Sequence, residues 1–282
     1  MTIKTRLVYR DFRLAIPRML DQSAWGMLVC LLMLTVTSCG KYKVEDDRVV
    51  YRSLNGFSSV VPGADPKTFE QIEQFQGKDA KHVFYFTKIV EGADPESYKV
   101  IDDARGKDDK AVFFAGKILP GADPLAFEII NNSYSKDHRY VYFGSKIVSG
   151  ANPMTFEAID NYVGKDENDV YEKATGISAC APESFRFLDK RWAIDSKCVY
   201  DDMLVVKGAD QASFQVINDY YAKDAVRVYG KAGVVFGADP KSFKLSSERC
   251  LYCGRDANVC YEDGKVVPCD DWDQPKCINY VN

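Results

Sequence analysis

The stretch Val61–Ile72, VPGADPKTFEQI, returns repeatedly along this chain of 282 residues. Close variants are VEGADPESYKVI, LPGADPLAFEII and VSGANPMTFEAI, which begin at Val90, Leu119 and Val148. VKGADQASFQVI and VFGADPKSFKLS follow later. Repetition at a fixed period is typical of proteins in which small units stack on their neighbours, because one such unit cannot bury its apolar side chains alone.

The repeat has a period of 29 residues, and the period holds at other positions of the unit. An aromatic side chain recurs at Phe69, Tyr98, Phe127, Phe156, Phe185, Phe214 and Phe243. Aspartate recurs at Asp79, Asp108, Asp137, Asp166, Asp195 and Asp224. Valine followed by phenylalanine or tyrosine recurs at Val83, Val112, Val141, Val170, Val199 and Val228. Because no insertion breaks this register between Gly63 and Gly237, we expect one array and not two domains.

A single unit combines strand, turn and cap signals. YVYF and KIVS are β-prone and are separated by Gly144-Ser145, a two-residue connection of hairpin type. Equivalent pairs in other units are Ala115-Gly116 and Asp263-Gly264. Asp65 can cap a helical turn, and Pro66 suits its first position. We therefore predict a mostly β protein, an elongated array of about eight hairpin-plus-helical-turn units, and leave open a third short strand after the aromatic residue.

The repeated side chains allow two interpretations. In the first, the aspartates serve the backbone conformation and the repeated stretch only builds the fold. In the second, the aspartate carboxylates line up to bind cations. A similar choice, between a packed core and a ladder on which sugars stack, concerns Phe84, Phe113, Tyr142, Tyr171, Tyr200 and Tyr229. We favour a structural role for the aspartates and a core position for the aromatic residues, since each residue type has a structural task within the unit.

The first 38 residues have the features of an export signal. Five basic residues precede an apolar run, Trp25–Val36, which is shorter than the roughly 20 residues of a membrane-spanning helix. The run ends in VTSC, which resembles the bacterial lipoprotein signal in which the cysteine, here Cys39, is lipidated. A buried apolar helix with an incidental cysteine is the alternative.

These features divide the chain into a signal peptide at 1–38, a short tether at 39–45 and a single repeat domain at 46–282. Residues 250–282 are expected to form a cysteine-rich cap at the end of that domain. The lipid would hold the mature chain at a membrane without a span. Gly40 after the cysteine favours the outer membrane, facing the periplasm, if the host is Gram-negative.

The segments AKDAVRVYG, SKDHRYVYFG and GKDENDVYEK, each followed by the glycine phrase or a variant of it, carry a resemblance. They resemble the DKNYY family of bacterial repeat proteins, which are often predicted to be lipoproteins. The resemblance covers roughly residues 46–264. It implies a repeat fold, and it implies no activity, because none is established for the family.

An exported chain meets an oxidising compartment, in which cysteines form disulfides by default. Of nine cysteines, Cys30 lies in the signal. Cys180 replaces the alanine of the phrase in the one unit where the phrase is broken, and Cys198 lies in the next hairpin. Because the lost turn and the two new cysteines coincide, we predict a disulfide between them.

The remaining five cysteines crowd the end of the chain, at Cys250, Cys253, Cys260, Cys269 and Cys277. The first four have loosely zinc-like spacing, which is one interpretation. We favour disulfides because of the compartment, with Cys260–Cys269 across the last hairpin as the first candidate.

The net charge of −4 becomes −7 once the first 38 residues, at +3, are set apart, which argues against a nucleic-acid partner. His82 and His138, the two histidines, occupy similar hairpin approaches and are expected to be exposed. No phosphate-binding glycine loop and no nucleophile elbow occurs in the sequence.

We therefore expect a non-enzymatic, lipid-anchored cell-envelope protein that presents an extended surface to a protein or polysaccharide partner, without a cofactor or metal. The alternative is an enzyme that acts on cell-wall glycan with two of its many carboxylates.

Overall fold

The computed structural model describes residues 40–53, 56–231, 233–245 and 252–269. These residues form 31 short strands in eight antiparallel sheets, together with one 3-10 helix at Pro182–Ser184. The strands of each sheet follow one another in chain order, so that every sheet is a small meander. The repeated array predicted from the 29-residue period is confirmed.

Sheet 1 has three strands, β1 (Lys41–Glu45), β2 (Arg48–Arg52) and β3 (Ser58–Val60). The other seven sheets have four strands each. Sheet 2 contains β4 (Glu70–Gln71), β5 (Gln76–Lys78), β6 (Val83–Tyr85) and β7 (Lys88–Ile89). Sheet 3 contains β8 (Lys99–Val100), β9 (Arg105–Lys107), β10 (Val112–Phe114) and β11 (Lys117–Ile118). Sheet 4 contains β12 (Glu128–Ile129), β13 (Tyr134–Lys136), β14 (Val141–Phe143) and β15 (Lys146–Ile147).

The second half of the array continues in the same way. Sheet 5 contains β16 (Glu157–Ala158), β17 (Val163–Lys165), β18 (Val170–Glu172) and β19 (Thr175–Gly176). Sheet 6 contains β20 (Arg186–Phe187), β21 (Trp192–Ile194), β22 (Val199–Asp201) and β23 (Leu204–Val205). Sheet 7 contains β24 (Gln215–Val216), β25 (Ala222–Lys223), β26 (Val228–Gly230) and β27 (Gly233–Val234). Sheet 8 contains β28 (Lys244–Leu245), β29 (Cys253–Arg255), β30 (Cys260–Glu262) and β31 (Lys265–Val267).

The unit has more strands than the predicted hairpin. The expected pair is present, since Phe143 of β14 lies opposite Lys146 of β15 across the two-residue turn. The segment before it adds two further strands, and β13 pairs with β14 along three residues. The third short strand left open by the sequence is β12, in which Glu128 lies opposite Lys136.

The valine–aromatic pair of each unit serves both faces of its sheet. In β14, Val141 and Tyr142 are both fully buried although successive side chains of a strand point to opposite faces. Val141 packs in a cluster with sheet 5, and Tyr142 packs in a cluster with sheet 3. A sheet covered on both faces needs two consecutive apolar residues in its central strand, which explains why the pair recurs with the period.

The core is divided into seven clusters, one at each junction between consecutive sheets. Each cluster contains one aromatic residue of the repeated phrase, from Phe69 between sheets 1 and 2 to Phe243 between sheets 7 and 8. Each sheet therefore packs on its two neighbours, as the stacked array requires. The seven aromatic residues that recur with the period therefore lie in the core, one at each junction, and the core is a series of separate clusters.

A small residue in the second strand makes room for that ring. Phe156 is 5% exposed, and a Cβ atom at Gly164 would collide with its ring. Gly77, Gly106 and Gly254 are equivalent and face Phe69, Tyr98 and Phe243. The glycine of the recurring Gly-Lys-Asp segment is thus required by close packing.

The lysine that follows this small residue binds the next unit. Lys136 Nζ donates to the carbonyl oxygen of Pro153 at 2.9 Å. Equivalent bonds join Lys78 to Pro95, Lys107 to Pro124 and Lys223 to Pro240. The proline of the phrase therefore presents a carbonyl to the preceding unit in addition to its role in the turn.

The helical turn of the phrase is a single turn. The Asn152 side chain accepts a hydrogen bond from the Met154 N–H at 3.0 Å, which is the capping role predicted for the equivalent Asp65. The Phe156 N–H donates to the Asn152 carbonyl at 3.0 Å, and the chain then enters β16. The turn ends at Phe156, because the ring of this residue is buried in the core.

The expected tether at 39–45 is wrong for residues 41–45, which form β1 and pair with β2. Tyr42 supplies the reason: its ring is buried against sheet 2, and its hydroxyl donates to the Phe75 carbonyl at 2.9 Å. Residues Lys41–Glu45 therefore belong to the folded array. Its first sheet is atypical, as expected of a terminal unit whose outer face has no neighbouring repeat.

Candidate functional site

The aspartates on the 29-residue period are the most numerous candidate groups, and they are buried. They lie in the turn between the second and third strands of sheets 2 to 8, at Asp79, Asp108, Asp137, Asp166, Asp195, Asp224 and Asp256. The last of these, in sheet 8, continues the series beyond the strict period.

Asp137 shows how the carboxylate is used. Its Oδ1 accepts the backbone N–H groups of Arg139 and Tyr140 at 2.7 and 2.8 Å. Its Oδ2 accepts the N–H of Asp123 at 2.9 Å and the hydroxyl of Tyr142 at 3.3 Å. The carboxylate thus joins its own turn, the preceding glycine phrase and the central strand of the sheet.

These hydrogen bonds keep the carboxylate ionised. Burial of Asp137 acts to raise its pKa, but the backbone donors of Asp123, Arg139 and Tyr140 outweigh that effect. The net result is a pKa below the usual range of aspartate. Across the described ranges, no three histidine, cysteine, aspartate or glutamate side chains converge to hold a metal ion. The repeated aspartates therefore have the geometry of residues that stabilise turns.

The aromatic series that was considered as a sugar ladder lies in the core. Its six rings, at Phe84, Phe113, Tyr142, Tyr171, Tyr200 and Tyr229, are between 0% and 2% exposed. A sugar cannot reach such rings, so the stacking-ladder alternative is wrong and the core interpretation holds.

Two disulfides join the cysteine pairs that the sequence brought forward. Cys180 and Cys198 are bonded with a Cα–Cα distance of 6.0 Å, and Cys260 and Cys269 with one of 5.4 Å. The four-cysteine zinc alternative is wrong, because Cys260 and Cys269 are bonded to each other. Cys253 is also disulfide-bonded. Cys39, Cys250 and Cys277 lie outside the described residues.

Both histidines lie at the turns, and the expectation that both are exposed is correct for His138 and wrong for His82. His138 is exposed, and its Nδ1 lies 3.4 Å from Asp123 Oδ2. His82 is half-buried, and its backbone N–H donates to Asp79 at 2.7 Å. Neither histidine lies in a group that could hold a metal within the part of the chain described.

A row of side chains on the fourth strands, exposed except for the half-buried Ile89, was not predicted. Lysine and isoleucine recur there as Lys88–Ile89, Lys117–Ile118 and Lys146–Ile147, on the edge strands β7, β11 and β15. We call these six residues the basic strip. The 29-residue period already aligns them in the sequence, but only the sheets show that they belong to an exposed edge.

An open groove of about 530 Å³ lies along this strip between the hairpins of sheets 2 and 3. Tyr85, Phe86 and Ile89 line it from sheet 2, and Lys117 and Ile118 line it from sheet 3. The groove is a surface cleft between two repeats. Its lining is mainly apolar and basic, and Tyr85, Thr87 and Glu91 add two hydroxyls and a carboxylate.

The fold and these sites define a class of protein, an all-β array of stacked sheets that repeat every 29 residues. Buried aspartates stabilise its turns, and its fourth strands face solvent. The model of the DKNYY family matches residues 60–146 and 134–266, and the chain belongs to this family. No protein of curated function and no solved structure matches it. None of the helical segments in the described ranges is long and apolar enough to cross a membrane.

Proposed function

We propose that this protein is a non-enzymatic, lipid-anchored component of the cell envelope whose array binds a protein or polysaccharide partner along one edge. The observation that carries the proposal is a difference between the repeated aspartates and the basic strip. The repeated carboxylates accept hydrogen bonds inside their own units, whereas the basic strip faces solvent. An array of this kind offers a long surface in preference to one reactive centre.

The lipid anchor is supported by the sequence alone. The basic residues, the apolar run Trp25–Val36 and VTSC support lipidation of Cys39 and removal of the residues before it as a signal peptide. Replacement of Cys39 by alanine should prevent lipidation and leave the precursor uncleaved, so that the mass of the protein changes and its lipid label is lost. An unchanged mass together with a retained lipid label would contradict the anchor.

The binding role is tested by crosslinking the anchored protein in its own envelope, followed by recovery and identification of what is attached. We expect one recurrent partner. The competing role, an enzyme that acts on cell-wall glycan, predicts turnover of glycan that is lost when one pair of carboxylates is replaced. Turnover of that kind without a recovered partner would overturn the proposal.

A further inference from the structure

The basic strip covers three consecutive units, and its lysine–aliphatic pair recurs apart from the strip as Lys265–Val266 in sheet 8. Lys88, Lys117 and Lys146 are exposed and occupy the same position in sheets 2, 3 and 4. The corresponding strand of sheet 5 is Thr175–Gly176, which has neither the cation nor the aliphatic side chain. The strip therefore has a defined length.

The lysines of the strip differ from the lysines that build the fold. Lys107 and Lys136 donate to proline carbonyls of the next unit and are half-buried. In the described part of the chain, no ion pair or hydrogen bond involves the ammonium groups of the strip. Three repeated cations on a protein of net charge −4 are thus available to an anionic partner.

The groove gives the strip an apolar floor. Phe86 lines it with 37% of its surface exposed, and its φ of 54° is one that bulky side chains rarely adopt. Its ring stacks on Phe75 at 4.8 Å between centroids, which holds it in place. At the equivalent turn position the next two units have Ala115 and Gly144, so the exposed ring is particular to this groove.

The spacing of the lysines along the basic strip indicates which kind of partner would fit it. Sheets stacked face to face lie about 10 Å apart, and we take this value as the interval between successive lysines of the strip. A polymer with regularly spaced carboxylates and apolar ring faces matches this alternation of lysine and isoleucine. An acidic peptide carries the same charge, but it loses more conformational entropy when it is held extended.

We propose that the basic strip binds an extended acidic polysaccharide of the uronate class, with carboxylates on Lys88, Lys117 and Lys146 and sugar rings over the groove. This deepens the proposed binding role and rests on it. Each exposed ion pair contributes little by itself, so binding depends on simultaneous engagement of the three units and weakens with salt.

The test is titration calorimetry of the full chain with galacturonate oligomers of increasing length at low salt. The apparent affinity should rise with length and level off once the oligomer spans sheets 2 to 4. Replacing the three strip lysines by glutamine (K88Q, K117Q and K146Q) should weaken binding at least tenfold. The matched control replaces three exposed lysines of the opposite turns (K81Q, K110Q and K197Q) and should change the affinity less than about twofold.

A second variant tests the groove separately. Ile118 is 53% exposed, so Ile118→Glu should leave the fold intact, which the melting temperature verifies, while it places a carboxylate against the sugar. We expect weaker binding of the oligomers. Unchanged affinity in this variant would overturn the placement of the polymer over the groove.

The remaining outcomes are equally decisive. Equal losses in the strip variant and the lysine control would show nonspecific attraction, and preference for poly-glutamate would show an acidic polypeptide; either result overturns the inference. Absence of oligomer binding does so as well. If the strip variant still recovers the native envelope partner, the inference fails while the proposed binding function stands.

Discussion

At the scale of single residues, Asp224 and Tyr229 form a buried pair that each unit repeats with small changes. Asp224 accepts the N–H groups of Val226 and Arg227 through Oδ1, and the Tyr229 hydroxyl at 2.6 Å through Oδ2. In sheets 2 and 3 the tyrosine is replaced by Phe84 and Phe113. The backbone donors are therefore essential to the turn, and the phenol is an addition.

Replacing Asp224 by asparagine should destabilise the array and reduce its sensitivity to acid. Burial acts to raise the pKa of Asp224, but the Tyr229 hydroxyl and the backbone donors hold it below its usual value. A carboxylate with a lowered pKa stabilises the folded state above about pH 4, and that contribution is lost as the pH falls through the folded pKa. We expect a loss of about 1–3 kcal/mol at pH 7, because an amide NH2 in place of Oδ2 leaves the Asp210 N–H without its acceptor.

The measurement is urea unfolding at pH 7 and pH 3. The variant should lose less stability between the two pH values than the native chain does. Asp109→Asn, at an exposed position of the equivalent turn in sheet 3, is the control and should follow the native chain. Equal acid sensitivity of the native chain and the Asp224 variant would contradict the assignment.

Tyr229→Phe tests the phenol. Burial, followed by the hydrogen bond to Asp224, raises the pKa of Tyr229 to about 12. A raised pKa gives stability that is complete below the usual tyrosine value of about 10 and is lost as the pH rises through the folded value. The variant should lose about 1 kcal/mol at neutral pH and part of the alkaline sensitivity above pH 10.

Thermal unfolding between neutral and alkaline pH measures this effect. Tyr162→Phe, in which the ring is 59% exposed, is the control and should leave both quantities unchanged. A Tyr229 variant whose alkaline limb coincides with that of the native chain would show that other groups cause it.

At the scale of the element, sheet 6 shows how a unit tolerates a broken phrase. Ala179 occupies the position at which other units have a glycine with positive φ, and the positive φ moves to Ser178. The Asp169 carboxylate of the preceding unit accepts the N–H groups of both residues, at 3.0 and 2.7 Å. The disulfide of Cys180 holds the same loop. A neighbouring carboxylate and a covalent bond thus replace the missing glycine.

Replacing Cys180 and Cys198 by serine should cost about 2–4 kcal/mol, the usual contribution of a disulfide that closes a loop of this size. Denaturant unfolding measures the loss. Reduction of the native chain should move its unfolding toward that of the variant. Identical midpoints for the oxidised chain and the serine variant would show that Asp169 alone is sufficient.

Phe156→Ala should cost about 3–5 kcal/mol, because the ring is 5% exposed and fills the junction between sheets 4 and 5. Met154→Ala, at a site that is 79% exposed in the same turn, is the control and should change stability by less than about 0.5 kcal/mol. Denaturant midpoints measure both, and similar small losses in the two variants would contradict the role of Phe156 in the core.

The sequence was sufficient to predict these elements only where the same type of side chain recurs with the 29-residue period. Val141, Tyr142 and Phe156 could be placed because each has a packing task that repeats. Strands such as Glu128–Ile129 are too short for alternation to show, since turns and ladder hydrogen bonds hold them. The basic strip was aligned by the period, but its exposure depends on which strand forms the edge of the sheet.

At the scale of the whole molecule, a series of polar side chains also joins consecutive units. Each donates to a backbone carbonyl of the next unit: Tyr42 to Phe75, Gln76 to Asp102, Arg105 to Asn132, Tyr134 to Tyr162, and Tyr221 to Tyr252. Val163 occupies this position in sheet 5 and has no donor to offer. Trp192, at this position in sheet 6, does not make the bond either. The residue type varies among the five units that do make it, so this tie could not be predicted from a residue pattern.

Because each sheet packs on its neighbours, the stability of the array should be close to a sum of unit and junction contributions. The effect of Phe156→Ala should then stay local. Amide hydrogen exchange of the variant should show faster exchange in sheets 4 and 5, whereas sheets 1, 2, 7 and 8 should keep native protection. Met154→Ala should leave every sheet unchanged. A uniform loss of protection across all eight sheets would instead mean that the seven junctions unfold as one cooperative core, and the array would then be a single globular unit in energetic terms.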